Sequence, residues 1–169
     1  LAEINPLTSN NVWSLHKLPA RLVVLGGGPI GCELAQCFAR FGSQDTQVEM
    51  LPRLMAREDL EDSEVVLQKF RAEGITVLVG HTAQRIVIEN GEKTLVVKNG
   101  GRETRLPFDE LLCAVVRVAN TAGSGLEALG IPSSGTHTVA LNAYMHTTSP
   151  TTYALRQVSE TYHCSPTEL

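Results

Sequence analysis

Three glycines and two acids carry the clearest chemistry in this sequence. The stretch Arg21-Leu-Val-Val-Leu-Gly26-Gly27-Gly28-Pro29-Ile30-Gly31-Cys32-Glu33 fits G-x-G-x-x-G through Gly26, Gly28 and Gly31. In such a turn the first glycine permits a tight bend and the second lets backbone approach a pyrophosphate. The third lets the following helix pack close to the preceding strand. The helix then aims free N–H groups and its positive end at phosphate, so Pro29 and Ile30 fall at an anion site built from backbone. Glu49 lies 18 positions beyond Gly31, close to where a dinucleotide-binding fold places the acid that takes the adenosine ribose hydroxyls.

The elements that must position these residues can be read around them. Leu22–Leu25 is an apolar run suited to a buried parallel strand. A helix is predicted over 31–41, with Leu34, Ala35, Phe38 and Phe41 on its apolar side and Gly42 as its stop. A second strand is expected over 46–51. Asp45, at its start, is expected exposed, because a buried unpaired carboxylate is costly or titrates instead. Glu58-Asp59 opens a second helix over 60–73, with Val65, Val66, Leu67 and Phe70 facing inward and Gly74 ending it. Residues 75–79 form a third strand. Strands alternating with helices predict a parallel sheet.

The period then changes. Strands over 83–89 and 94–98 flank Asn90-Gly91, a hairpin signal. Asn99-Gly100-Gly101 turns into a third strand over 102–106, and 108–116 reads as a buried returning strand. The expected fold class is α/β: a Rossmann-like parallel sheet with two crossover helices plus a three-stranded antiparallel meander. The expected organisation is a lead-in over 1–18, a nucleotide-binding domain over 19–118 and a C-terminal segment over 119–169. That segment is rich in Thr, Ser, Gly and Pro and offers one short helix candidate, 125–129.

The bulk numbers exclude several classes. With 169 residues, 43% hydrophobic and 19% charged, the chain can bury one substantial core. A net charge of −4 argues against a nucleic-acid partner. No apolar stretch reaches transmembrane length, so no membrane partner is expected, and a cytoplasmic location is the default. The chain opens on Leu rather than Met, which fits an excised segment. Cys32, Cys37, Cys113 and Cys164 form no paired C-x-x-C motifs, so no metal site is expected. Cys32 and Cys37 fall inside the first helix, where five residues turn a side chain by about 500° and point the two to different faces. They read as ordinary helix residues rather than a redox pair. His16, His81, His137, His146 and His163 have no catalytic context, and His163-Cys164 alone is too small a ligand set for a metal.

Together, Leu18-Pro19, the glycine stretch with Glu33, Glu49, Arg53-Leu54-Met55, Phe108-Asp109, Arg117-Val118-Ala119-Asn120 and the run from Asn142 through Thr147 to Ala154 resemble a known family. It is the central NAD(P)H-binding domain of the FAD-dependent pyridine nucleotide–disulfide oxidoreductases, such as dihydrolipoamide dehydrogenase and mercuric reductase. The resemblance runs from about residue 7 to 158. It implies that NAD(P)H binds here and passes hydride to a flavin on a neighbouring domain. Glu33 matches the Glu that lies near nicotinamide and flavin in relatives; otherwise it is a first-turn acid favoured by the helix dipole. Glu49 favours NAD over NADP, because a carboxylate there repels a 2′-phosphate. Arg53 either holds such a phosphate or is a solvated loop charge. Val116 stands where the family has a glycine beside the cofactor.

The family's flavin-binding glycine motif, redox cysteine pair and C-terminal interface domain are not in this sequence. The partners implied are a nicotinamide dinucleotide and the flavin and interface domains of a parent enzyme. Where the family has Tyr-Ala-x-Gly-Asp-Val, with the Asp on the flavin's ribityl chain, this chain has Tyr153-Ala154-Leu155-Arg156-Gln157-Val158. The reading is therefore an NAD(H)-binding domain that binds without turnover by itself. The alternative is a degenerate, non-catalytic nucleotide-binding or interaction module. A stand-alone dehydrogenase would need a base such as a Tyr-x-x-x-Lys pair, and the sequence has none.

Overall fold

The structure, a computed structural model, describes residues 4–116, 119, 121–133, 138–154 and 158–159. It divides into two compact units, Leu1–Val115 and Val116–Leu169. The first begins with an irregular segment holding a 3-10 turn, Val12–Ser14. The elements β1 (Arg21–Leu25), α1 (Pro29–Phe41), β2 (Gln44–Glu49), α2 (Leu60–Ala72) and β3 (Thr76–Val79) follow. Then come β4 (Thr82–Glu89), β5 (Glu92–Asn99), β6 (Arg102–Phe108) and β7 (Glu110–Cys113).

Four strands form a parallel sheet in the order β3-β2-β1-β7, and β4-β5-β6 form an antiparallel meander. This is the α/β architecture the sequence predicts. β1 is buried on both faces, as a central parallel strand must be. Its side chains alternate between two cores. Leu22 and Val24 join Cys32, Ala35, Phe70 and Ile75 under the helices. Val23 and Leu25 join Leu95, Val97 and Phe108 under the meander. Each such fully buried Val, Leu, Ile or Phe side chain contributes roughly 1.5–3 kcal/mol. Leu7 and Val12 of the lead-in also enter the helix-side core, and Leu7 bonds to both Leu111 and Cys113 of β7.

Local rules explain the helix ends. α1 starts at Pro29, two residues earlier than expected, because proline at the first helical position needs no N–H partner. It stops at Gly42, whose φ of 106° only glycine adopts freely. Asn90-Gly91 and Gly100-Gly101 both take positive φ, the geometry of tight hairpin turns.

Several expectations need correction. The stretch 108–116 is not one strand. Phe108 ends β6, and Asp109 breaks the run by accepting from Arg21 N (2.7 Å) and from the Arg21 guanidinium (2.9 Å). β7 then ends at Cys113, leaving Val115 and Val116 exposed. β2 begins at Gln44 and stops at Glu49, with Met50 and Leu51 exposed. Phe41 is 73% exposed because it is the last helical residue, beyond the core contacts of Phe38 and Ala39. Val65 points to solvent, whereas Ser63 is buried and bonds to Leu54 O (2.7 Å). Asp45 is only 3% exposed. The register of β2 turns Asp45 toward the same side as Gln47 and Glu49, under α1.

In the second unit, residues 125–129 make a single turn closed by Leu129 N to Gly125 O (3.3 Å), not a helix. Asn142 Oδ1 accepts from the amides of Tyr144 (2.9 Å) and His146 (3.1 Å), and the His146 and Tyr153 rings lie 4.3 Å apart. The substitutions at Arg156 and Gln157, most of the Arg117–Asn120 run, and His137, His163 and Cys164 lie outside the described residues. Among the described residues no helix is long and apolar enough to cross a membrane.

Candidate functional site

The glycine turn lies at the C-terminal edge of the parallel sheet, between β1 and α1. Gly26 continues the ladder by donating to Val48 O (2.8 Å), then bends with φ of 104°. A Cβ there would lie 2.5 Å from Ala114 O, so only glycine fits. A Cβ at Gly31 would collide with the Gly26 carbonyl, which accounts for the third glycine. Gly28 differs from both: its backbone is extended and a Cβ would meet nothing within 4 Å. No part of the first unit's packing requires glycine at 28, and the space before it is open.

In the first turn of α1, Pro29 has no N–H and Cys32 N donates to Gly28 O (3.0 Å), which leaves the N–H groups of Ile30 and Gly31 without intrahelical partners. Pro29 is exposed, and Ile30 and Gly28 are partly exposed around this opening. The dipole of α1 places partial positive charge there. The donor set therefore fits an anion such as a pyrophosphate. Glu33 lies one turn further along α1, exposed and in the second turn rather than the first.

Glu49 ends β2, buried beside the turn. Its Oε2 accepts from Gly27 N (2.5 Å) and its Oε1 from Leu51 N (2.7 Å). These two bonds fix the carboxylate. Each oxygen keeps a further lone pair for a hydroxyl donor.

Arg53 is half-buried in the loop before α2. Its guanidinium donates to the carbonyls of Ala56 (2.9 Å), Glu58 (2.8 Å) and Asp59 (3.2 Å) and braces the loop before α2. The loop in turn holds the glycine turn: Met55 N donates to Gly27 O (2.7 Å) and Leu54 packs over Gly27. Val116, the remaining residue expected at the site, opens the second unit. It is exposed and avoids the left-handed φ that glycine could supply.

Two residues of the site escape pattern reading. Gly27 occupies a position the motif leaves free, yet a Cβ there would lie 2.7 Å from Leu54 Cδ2. The run of three consecutive glycines is the signal that marks it. Gln47 is fully buried and donates to Gly26 O (2.9 Å), with Cys32 Sγ at 3.5 Å. A polar residue amid a buried strand marks it in the sequence.

Two buried titratable groups lie under α1, Cys32 beside the turn and Asp45 at the far end of β2. Burial, reinforced by Glu49 and Glu33 and partly offset by Gln47, pushes the Cys32 thiol up to about 11, so it stays protonated at neutral pH. Cys37 is exposed, and the two do not face each other as a redox pair would. Burial also raises the Asp45 carboxyl to about 6, with Ser43 and the Ala39 backbone only partly offsetting it. Ser43 and the Ala39 backbone approach the carboxyl, but neither Asp45 oxygen nor the Ser43 hydroxyl makes a hydrogen bond of good geometry.

An α/β sheet with a glycine turn at its C-terminal edge defines a class of domains that take ligands outside the carboxyl ends of their strands. Comparison with known proteins narrows the class. Residues 2–163 match the model of the pyridine nucleotide-disulphide oxidoreductase family. The chain belongs to that family. It is 36% identical over 149 residues to the dihydrolipoyl dehydrogenase of Bacillus subtilis (strain 168), covering 88% of this chain and 32% of that protein. It is 37% identical over 162 residues to the mercuric reductase of Streptomyces lividans, covering 94% and 33%. Among solved structures, the HOCl-induced flavoprotein disulfide reductase RclA from Escherichia coli matches with a TM-score of 0.79 at 26% identity, covering 95% of this chain and 36% of that one. The chain thus spans about a third of the length of the curated relatives it matches.

Proposed function

We propose that this chain is the NAD(H)-binding domain of a flavin-dependent disulfide oxidoreductase, with NADH preferred to NADPH. In this reading residues 19–118 hold the nucleotide and 119–169 return the chain toward a flavin domain. The observation that carries it is the opening at Gly28. An unstrained glycine with nothing in front of it, at the N-terminus of α1, leaves room for a phosphate against backbone donors.

When bound, NADH supplies a hydride for a flavin held elsewhere in a longer enzyme. The residues of this chain do the holding. The amides at the start of α1 take the pyrophosphate, and Pro29 and Ile30 border it. Glu49, held by Gly27 and Leu51, accepts from the ribose hydroxyls. A 2′-phosphate would bring negative charge against this fixed carboxylate. Arg53 spends three donors on loop carbonyls, which reduces what it offers to such a phosphate. Glu33, exposed on α1, is free to meet the nicotinamide end or a flavin-domain cation. Turnover by this chain alone is not expected.

The test is calorimetric titration with NADH and NADPH. Saturable binding with NADH tighter, and loss of that preference in Glu49→Ala, supports the reading. Equal or absent binding of both nucleotides overturns it. The replacement of the family's Asp by Gln157 favours a second reading, a binding module without flavin chemistry. FAD reduction by the longest available form of the protein separates the two.

A further inference from the structure

The peptide unit joining Gly26 to Gly27 is gripped at both ends by one strand. Gln47 Nε2 donates to its carbonyl oxygen, Gly26 O, at 2.9 Å. Glu49 Oε2 accepts from its N–H, Gly27 N, at 2.5 Å. A trans peptide is planar with these two groups pointing oppositely, so fixing both fixes the plane. Gln47 and Glu49 are two apart on β2 and therefore lie on the same side of the sheet. The next peptide unit is held as well, because Gly27 O accepts from Met55 N (2.7 Å) and lies 3.4 Å from the Cys32 thiol. That leaves the Gly28 N–H turned away from these partners, beside the opening.

We propose that Gln47 is a positioning residue for the dinucleotide site. With Glu49 it clamps the Gly26–Gly27 peptide and so presets the amides that meet the pyrophosphate. The clamp ties the ribose carboxylate and the phosphate turn into one unit. The proposal rests on the nucleotide-binding reading for its ligand, but the clamp itself exists without ligand. Its cost is visible: Gln47 Oε1 is buried with no partner. A residue kept only for packing would gain by losing that oxygen, since an unsatisfied buried acceptor is destabilising.

The test uses Gln47→Met and Gln47→Glu in the whole chain, with thermal melting, NADH titration and amide exchange at Gly27 by NMR. Gln47→Met keeps the length and removes both polar atoms. It is expected to melt close to wild type, because removing the orphan Oε1 offsets the donor lost to Gly26 O, to bind NADH about tenfold more weakly, and to exchange Gly27 N–H faster. Gln47→Glu is expected to bind weakly at pH 9 and to recover toward wild type at pH 6, where a protonated carboxyl can again donate to Gly26 O. A merely structural role does not produce that pH profile.

Unchanged NADH affinity and unchanged Gly27 exchange in Gln47→Met would overturn the proposal. So would a parallel loss of affinity and melting temperature with no acid recovery in Gln47→Glu. If wild type binds neither nucleotide, the functional reading fails, and Gly27 exchange alone decides the clamp: faster exchange in Gln47→Met keeps it, identical exchange removes it.

Discussion

The two ends of β2 handle buried polar groups differently, although each leaves an unpartnered oxygen, Gln47 Oε1 at one end and those of Ser43 and Asp45 at the other. At the C-terminal end, Gln47 and Glu49 spend their side chains on the backbone of the glycine turn. At the N-terminal end, Ser43 and Asp45 are equally buried, yet the Ser43 hydroxyl and both Asp45 oxygens make no hydrogen bond of good geometry. Both ends lie under the same helix. Asp45 sits near Ala39, toward the C-terminal end of α1, where the dipole disfavours negative charge. Glu49 sits beside the turn that opens the same helix, where the dipole favours it. Buried polarity at one end holds the backbone of the glycine turn; at the other it finds no comparable partner.

Substitutions can sharpen this contrast. The largest expected effect is at the turn itself. Gly26→Val places a Cβ against Ala114 O in a left-handed conformation and is expected to lose roughly 3 kcal/mol or more, or to fail to fold. Urea denaturation reads this directly, and near-wild-type stability would contradict the packing described for Gly26.

Next is Asp45. Its folded carboxyl titrates at about 6 against an ordinary 3.8, so the folded state holds the proton more tightly than the unfolded state. Stability therefore falls as pH rises from about 4 to about 6. The shift of about two pH units corresponds to roughly 3 kcal/mol by linkage, an order-of-magnitude figure. Wild type is expected to be more stable at pH 5 than at pH 7.5, and Asp45→Asn is expected to remove most of that difference. Equal wild-type stability at both pH values would show that Asp45 is solvated in the folded chain.

The smallest expected effect is at Glu73. The Arg40 guanidinium, helped by Gln36 and Lys69, holds its carboxyl down to about 2. This contribution has the opposite sign, present above about 4.5 and lost as pH falls toward 2. Glu73→Gln is expected to change melting little at pH 7 and to flatten the decline below pH 4, as fits an ion pair that solvent screens. The two groups together place the stability maximum on the acid side of neutrality.

Much of the fold was legible because its signals are local. The glycine turn, Gly42, Asn90-Gly91 and the apolar run of β1 each dictate their own backbone, whereas the helix starts at Pro29, two residues before its predicted start. Spacing singles out Glu49, and the structure places its carboxylate against the turn. What was missed depends on partners distant in sequence. Asp45 was expected outside because burial of a lone carboxylate is costly, and the register of β2 with β1 overrides that cost. Asp109 ends a strand because it meets Arg21, 88 residues away. Arg53 is claimed by the carbonyls of its own loop, a geometry no spacing rule encodes. Gln47 reads as an odd residue in a buried strand until the Gly26 carbonyl is placed beside it.

The most direct measurement compares Gly28→Val with wild type in NADH titration and thermal melting. Gly28 has extended backbone and open space before it, so valine fits the free chain. The expected result is NADH binding lost, with the melting temperature lowered only by the modest cost of replacing a glycine N-cap. Binding that survives in a folded Gly28→Val chain would contradict a pyrophosphate seat at this turn.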